Sequence, residues 1–376
     1  YYSRVGIAEI AIWVVTPHDA DAIRSTVVDF RSFPNFVQGG GFDSLARGTR
    51  SCVHFMHDDH DEEAEDRAYD DDEHEEGCKR AHFAERTPKT KLRLKLLYDI
   101  LVLPIEPWIE RKEHILLMPC RELASLPFWA FRNRSTGAYM VQSHACATGV
   151  SIRTFDLMRT LRLSLQPAKR KATVVGIGKF TQCRDDNAWR LQPLPSAELE
   201  ADDVAKIYRS EKVAVTQLSR AAAKKANVLK ALQTATEVIH IATHGFVCAD
   251  IVNGRLGFRP VLALHDGLLY FEDVQALKLK ARLAVLSACD TFQGEVDAEG
   301  VFNLAWALMI AGVPTIVVSH WKVRDKSTRQ FMSGFHARVC SGLSLRLAMQ
   351  RTMLDMSSSG LRPRAWAPFV LLGPSA

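Results

Sequence analysis

Two short motifs carry side chains able to do chemistry together. A-T-H-G-F runs from Ala242 to Phe246, and S-A-C-D-T runs from Ser287 to Thr291. His244 and Cys289 are their reactive members. A free thiol, with a pKa of roughly 8.5, is mostly protonated at neutral pH, so an adjacent imidazole is what turns it into a nucleophile. Gly245 adds a backbone N–H beside the base, where an oxyanion donor is useful. The Cys follows the His by 45 residues, a weak signal on its own in a chain with 8 Cys and 13 His. The surrounding sequence strengthens it.

Both motifs end an apolar run. Val238–Ala242 and Leu283–Leu286 contain no charge and do not alternate, which predicts strands buried on both faces of a parallel sheet. Function in such sheets gathers at the carboxyl ends of the strands. His240, inside the first run, is read as structural. Between the two runs the sequence predicts a loop and a short connection. Upstream, a strand at Ala172–Gly176, a helix at Ser196–Tyr208, a strand at Val213–Leu218 and a helix at Arg220–Leu232 make a doubly wound α/β unit. Glu198, Glu200, Asp202 and Asp203 crowd the start of the first helix, where its dipole favours anions. Downstream, Asp290–Gly300 is a polar loop able to hold a substrate backbone. Val301–Ala311 is apolar all round and predicts a buried helix closed by Gly312 and Pro314. Thr315–Ser319 is the next strand and delivers His320 and Trp321, which either line the cleft or pack. Asp325 is read first as the N-cap of the following helix, whose Phe331, Phe335 and Val339 share a face. Asp290 and Asp325 are also candidate partners for a basic substrate side chain. Leu343–Met356 is a further helix, and Trp366–Leu372 is strand-like.

The first half is less patterned. Glu9–Val15 predicts a strand, Asp19–Phe30 a helix, Lys89–Leu103 a helix and His114–Met118 a strand. Pro119–Phe131 leaves that strand with aromatics that should pack inside. The stretch Asp58–Glu76 holds 13 carboxylates and one Arg, so the remainder carries about +17 against a net +5 for the chain. Such an acidic block cannot bury a core and is read as a solvated insertion. His54, His57, His60, His74, Cys78 and His82 lie in or beside it without the regular spacing of a zinc module, so no metal or other cofactor is expected. No nucleic-acid motif accompanies the basic remainder, so nucleic acid is not expected as a partner. The scattered cysteines lack a C-x-x-C pair and read as reduced thiols of a cytoplasmic, intracellular protein. No run of about 18 apolar residues argues for a membrane span, and no signal peptide is visible. The chain starts at Tyr1, and a longer parent stays open.

The His-before-Cys order and a spacing close to roughly 50 residues fit a caspase-like pair and run opposite to papain. Longer stretches extend the match: D-G-L-L-Y-F-E-D-V from Asp266, L-A-V-L-S-A-C-D-T from Leu283, E-G-V-F-N-L-A-W-A-L-M-I-A-G-V-P-T-I-V-V-S-H-W-K-V-R-D from Glu299, and W-A-P-F-V-L-L-G from Trp366. Together they resemble the CHAT domain, a caspase-like family similar to separase and often found beside tetratricopeptide repeats. The match is specific from about Val238 to Gly373. Weaker echoes occur at Leu123–Phe131 and near Gly137, Val174 and Leu194. Phe292 stands where the family commonly has Gly, and Arg324 where it commonly has Asp.

The resemblance implies a caspase–hemoglobinase-like α/β/α sandwich with a mostly parallel sheet. It implies a non-catalytic, pseudo-caspase lobe over 1–165, with the acidic insertion at about 55–82, and a catalytic lobe over 166–376. It further implies a cysteine endopeptidase with His244 as base, Cys289 as nucleophile, and Gly245 and Cys289 as oxyanion donors. The expected substrate is a partner protein, contacted by Asp290, His320, Trp321 and Asp325, with a regulatory protein or repeat region as a further partner. The alternative is a catalytically inactive pseudo-protease that serves as a protein-binding scaffold.

Overall fold

The computed structural model describes residues 2–4, 9–15, 23–29, 89–119, 123–124, 126–165, 169–180, 191–252, 255–288, 303–321 and 324–375. The acidic block with its His cluster, Cys289, Asp290 and the loop up to Gly300 lie outside them.

Short helical turns aside, the chain runs β1 (Tyr2–Arg4), β2 (Glu9–Val15), β3 (Ile23–Asp29), α1 (Lys89–Leu101), β4 (His114–Leu117), β5 (Ala145–Thr148), α2 (Ile152–Ser164), β6 (Lys171–Gly176), α3 (Pro195–Ser210), β7 (Ala214–Ser219), α4 (Lys225–Leu232), β8 (Val238–Thr243), β9 (Gly245–Val252), β10 (Arg255–Leu264), β11 (Gly267–Tyr270), β12 (Leu283–Ala288), α5 (Asn303–Ile310), β13 (Ile316–Ser319), α6 (Asp325–Cys340), α7 (Leu345–Ser358) and β14 (Phe369–Leu372).

One eight-stranded sheet, in the order β4-β5-β14-β13-β12-β8-β6-β7, dominates the molecule. All its pairings are parallel except β13 with β14. This is the mostly parallel α/β architecture the sequence predicts. Every residue of β8 and β12 is buried, as their unbroken apolar runs require. Helices α3, α6 and α7 pack together on one face of the sheet. α4 and α5 belong to crossovers running the other way along the sheet, and right-handedness puts them on the opposite face. Thr173, which donates to the Ala231 carbonyl of α4, marks that second face. The largest fully buried side chains include Phe331 and Phe335 of α6, Tyr208 of α3, Trp366 and Phe369. They fill the space between the first helical layer and the sheet. The aromatics of the Pro119–Phe131 stretch also turn inward, with Phe128, Trp129 and Phe131 buried. Among the described residues, no helix is long and apolar enough to cross a membrane.

Two expectations need correction. Ile23–Asp29 is a strand, not part of a helix, and pairs antiparallel with β2 from Val15↔Ile23 onward. Its Ile, Thr and Val residues are β-branched, and its exposure alternates at every second residue, so the mixture of charged and apolar residues has the period of a strand. The stretch after Gly245, expected as a loop, is a three-stranded antiparallel sheet, β11-β10-β9. The predicted helix from Arg220 starts with a 3-10 turn at Arg220–Ala222 and becomes α-helical only at Lys225. Gly312, with φ +108°, closes α5 as the sequence predicts.

α3 lies unusually close to β6. A Cβ on Gly176 would stand 2.4 Å from Ala201 Cβ and 2.7 Å from the Ala197 carbonyl oxygen. Small residues on both elements make this approach. Gly176→Ala should therefore lower the unfolding free energy by about 1–3 kcal/mol, read as a drop in the urea midpoint without a change in slope.

Candidate active site

β8 and β12 are adjacent and in register, with Leu283 opposite Val238 and Ala288 opposite Thr243. The next residue along each chain is His244 on one side and Cys289 on the other. Cys289 and Asp290 fall outside the described residues, so the geometry of the site is that of His244 and its supports.

His244 is half-buried, with its ring centroid 5.1 Å from that of Phe180. Its Nε2 lies 2.7 Å from the Gln192 carbonyl oxygen. A carbonyl only accepts, so Nε2 carries the proton. In the neutral ring the lone pair is then on Nδ1, the nitrogen able to take a proton from a thiol. The Thr243 hydroxyl donates to the Ala263 carbonyl at 2.6 Å, and the Ala263 N–H donates to the His244 carbonyl at 2.9 Å. These bonds staple the tip of β8 to β10. They also set the phase of the β9–β10 ladder: the Gly245–Leu262 pair is a non-hydrogen-bonded one, so the Gly245 N–H points away from β10.

A recess opens at the carboxyl ends of β8, β12 and β13, walled by Thr243, Ser287, Ser319, Glu200, Asp325 and Thr328, among others. The Ser319 hydroxyl donates to the Ala288 carbonyl at 2.8 Å and joins two strand ends. The buried Ser287 hydroxyl has no hydrogen-bond partner among the described residues. Asp325 is the first residue of α6 but makes no side-chain cap to it. Its carboxylate instead accepts the Ser196 N–H at 2.7 Å, in the first turn of α3. The N-cap expectation is corrected accordingly: Asp325 serves the amino end of a neighbouring helix, where an anion is favoured by the dipole. His320 and Trp321 are both 2 % exposed. The His320 ring packs 5.4 Å from Trp129, and the Trp321 indole N–H donates to the Arg364 carbonyl at 3.1 Å.

Behind the recess lies a buried polar chain that motif reading does not find. Glu200 Oε1 sits 2.9 Å from His240 Nε2, His240 Nδ1 3.1 Å from His336 Nε2, and His336 Nδ1 3.1 Å from the Tyr208 hydroxyl. All four side chains are at most 1 % exposed. The sequence signal for it is modest. Glu200 is the lone carboxylate in an inward stripe of α3 otherwise made of Ala197, Ala201, Val204, Ala205 and Tyr208. Burial, and secondarily His240, holds His336 well below the usual histidine range, and burial pushes Tyr208 well above the usual tyrosine range. Burial also pushes the thiols of Cys146 and Cys340 up to about 12 and about 11, which keeps both protonated at neutral pH. Among the described residues, no group of three or more His, Cys, Asp or Glu side chains could hold a metal ion.

A mostly parallel α/β sheet with a histidine at one strand tip, beside the strand that leads into a cysteine, defines the class. The CHAT domain model matches residues 91–374, and the chain belongs to the CHAT domain family. Over 327 residues it is 26 % identical to tetratricopeptide repeat protein 28 of Homo sapiens and 25 % identical to the protein of that name in Mus musculus. Those alignments cover 74 % of this chain, which spans 13 % of the length of either relative. Among solved structures, the Arg-specific cysteine proteinase gingipain R (RGPB) is similar at a TM-score of 0.48 and 11 % identity, over 77 % of this chain and 68 % of that one. Separase in the Saccharomyces cerevisiae separase–securin complex is similar at a TM-score of 0.43 and 12 % identity, over 73 % of this chain and 17 % of that one.

Because His336 is neutral when folded and ordinary when unfolded, the unfolded chain binds more protons below the unperturbed value of 6.5. Stability should therefore fall as the pH drops from 6.5 towards the folded value, by up to about 1.4 kcal/mol per pH unit. Urea midpoints between pH 7 and 5 should show this slope, and His336→Gln should be shallower by that component.

Proposed function

We propose that the chain is a cysteine endopeptidase that cleaves a partner protein with His244 as general base and Cys289 as nucleophile. The observation that carries this reading is the register of β8 with β12 together with the tautomer of His244, whose Nε2–H is engaged by the Gln192 carbonyl. The thiol proton passes to His244 Nδ1, and the thiolate attacks the scissile carbonyl carbon. Nδ1–H then protonates the leaving amine, and water releases the acyl group from sulfur. The N–H groups of Gly245 and Cys289 hold the oxyanion, each worth about 3 kcal/mol. The direction of the Gly245 N–H, away from β10, supports its part.

Asp325 and Glu200 give the recess an acidic wall, which supports a basic side chain as the group recognised next to the cleaved bond. Asp290 is the further proposed substrate contact, whereas His320 and Trp321, both buried against neighbouring residues, serve by packing behind the strand ends. The lobes over 1–165 and 166–376 belong to the same proposal, built on one sheet to which the first contributes β4 and β5. The curated relatives are named for tetratricopeptide repeats, which supports a repeat region as the regulator.

A cleavage screen on a cell extract should give products with the wild-type chain and none with Cys289→Ala or His244→Ala, both retaining the wild-type circular dichroism. Cleavage retained by folded Cys289→Ala refutes the reading. At neutral pH, iodoacetamide should label Cys289 first and Cys146 and Cys340 slowly, whereas a scaffold without activity shows no preference for Cys289. Asp325→Asn keeps an acceptor for Ser196 but loses the charge. It should lower kcat/KM for substrates with a basic side chain at the cleaved bond by about tenfold to a hundredfold, with little effect on others.

A further inference from the structure

Beyond the carboxylate that Glu200 lends to the recess wall, the Glu200–His240–His336–Tyr208 chain takes no part in the chemistry above, yet it is buried in the layer between α3, α6 and β8. We propose that it is a positioning unit for His244: Glu200 and His240 fix the place of α3 along β8, and thereby hold the Gln192 carbonyl on His244 Nε2–H. Only the catalytic consequence rests on the reading of His244 as a base. The geometric claim concerns the ring itself.

The hydrogen bonds have one consistent direction. The His336 ring nitrogen is the acceptor recorded for the buried Tyr208 hydroxyl among the described residues. Tyr208 O–H therefore donates to His336 Nδ1, His336 Nε2–H to His240 Nδ1, and His240 Nε2–H to the Glu200 carboxylate. Both rings are neutral in this arrangement, and the one formal charge sits on Glu200, at the wall of the recess. The rings cross nearly edge-on, His240 to His336 at 78° and Tyr208 to His336 at 67°.

The other polar contacts of α3, Ser196 with Asp325, Asp202 with Gln217, Glu198 with Arg220 and Asp203 with Arg329, are exposed or half-buried, whereas the Glu200–His240 bond is buried and reaches β8 directly. Half of the buried stripe of α3 is alanine, laid over the glycine end of β6, and apolar burial is non-directional. A hydrogen bond of 2.9 Å, by contrast, weakens steeply with small displacements. His240 and His244 are four residues apart, and with side chains alternating along a strand they share a face. Gln192 is three residues ahead of the first helical residue, Pro195, and is tied in by Leu194 N–H on the Gly178 carbonyl at 3.0 Å. Sliding α3 along β8 carries the Gln192 carbonyl with it. Stability does not require the polar pair, since well-packed apolar residues commonly replace such groups at no loss.

The test reads the His244 ring by long-range proton–nitrogen NMR on the full chain labelled at histidine, with His244→Gln assigning the resonance. In the wild type the Nε2–H proton should be visible and protected from exchange. In Glu200→Leu its exchange should rise by about tenfold or more, while the β8 backbone amides stay protected. Glu200→Gln keeps an acceptor for His240 and should restore the wild-type value. Should Glu200→Leu fail to fold, the Glu200→Leu/His240→Leu double variant removes the buried donor as well, while the Tyr208 hydroxyl keeps His336 Nδ1 as its acceptor. A folded apolar variant in which His244 Nε2–H stays protected overturns the proposal, as does a wild-type ring protonated on Nδ1 alone. If the ring responds as expected but Cys289 labelling is indifferent to His244→Ala, the positioning stands and the base assignment alone fails.

Discussion

The structure depends on the lateral pairing of β8 with β12 inside a sheet covered on both faces. Parallel strands of this kind leave no side chain exposed, so each residue from Val238 to Thr243 and from Leu283 to Ala288 is committed to packing. Each large apolar side chain so buried contributes roughly 1.5–3 kcal/mol. A slip of one residue would disrupt the packing on both faces at once, which makes the register of the two strand tips a property of the core. Whatever stands next along each chain inherits that register without any local contact of its own.

The helical layer above these strands supplies the orientation that register cannot. α3 begins beside His244 and passes over β6 and β8, and α6 begins with the carboxylate that meets the amino end of α3. Two helices thus secure each other's starting turns at the rim where the strands end. The polar chain from Glu200 to Tyr208 stands in the middle of this layer, and Arg329 of α6 bonds Asp203 of α3 at 2.7 Å on its outer side. That ion pair is exposed enough that its own contribution is small. It is the buried bonds that discriminate among helix positions.

Much of this was legible in the sequence, for identifiable reasons. Val238–Ala242 and Leu283–Leu286 declare themselves because a strand buried on both faces tolerates nothing but apolar residues, and each is followed at once by its reactive group. Gly312 and Pro314 mark the end of α5 because only a glycine relaxes at a positive φ there. The misses also have causes. Ile23–Asp29 mixes charge with apolar residues over too short a span to separate a period of two from one of 3.6, and its β-branched residues were the better guide. The β9–β11 sheet was missed because polar and glycine residues interrupt it. Asp325 looked like a cap for its own helix because sequence adjacency hides a neighbour 129 positions away. The Glu200 chain draws its four members from three separate elements, and no local pattern announces that kind of convergence.

The transition from the large sheet to the small one is abrupt. β8 closes at Thr243 and β9 opens at Gly245, so a single residue joins the two, and that residue is His244. Its φ and ψ torsions are the only ones between two hydrogen-bonded ladders. Because Thr243 and His244 both bond Ala263 of β10, the base of the β9–β10 hairpin is clamped at that same point, and the backbone carrying the imidazole belongs to the framework of both sheets at once.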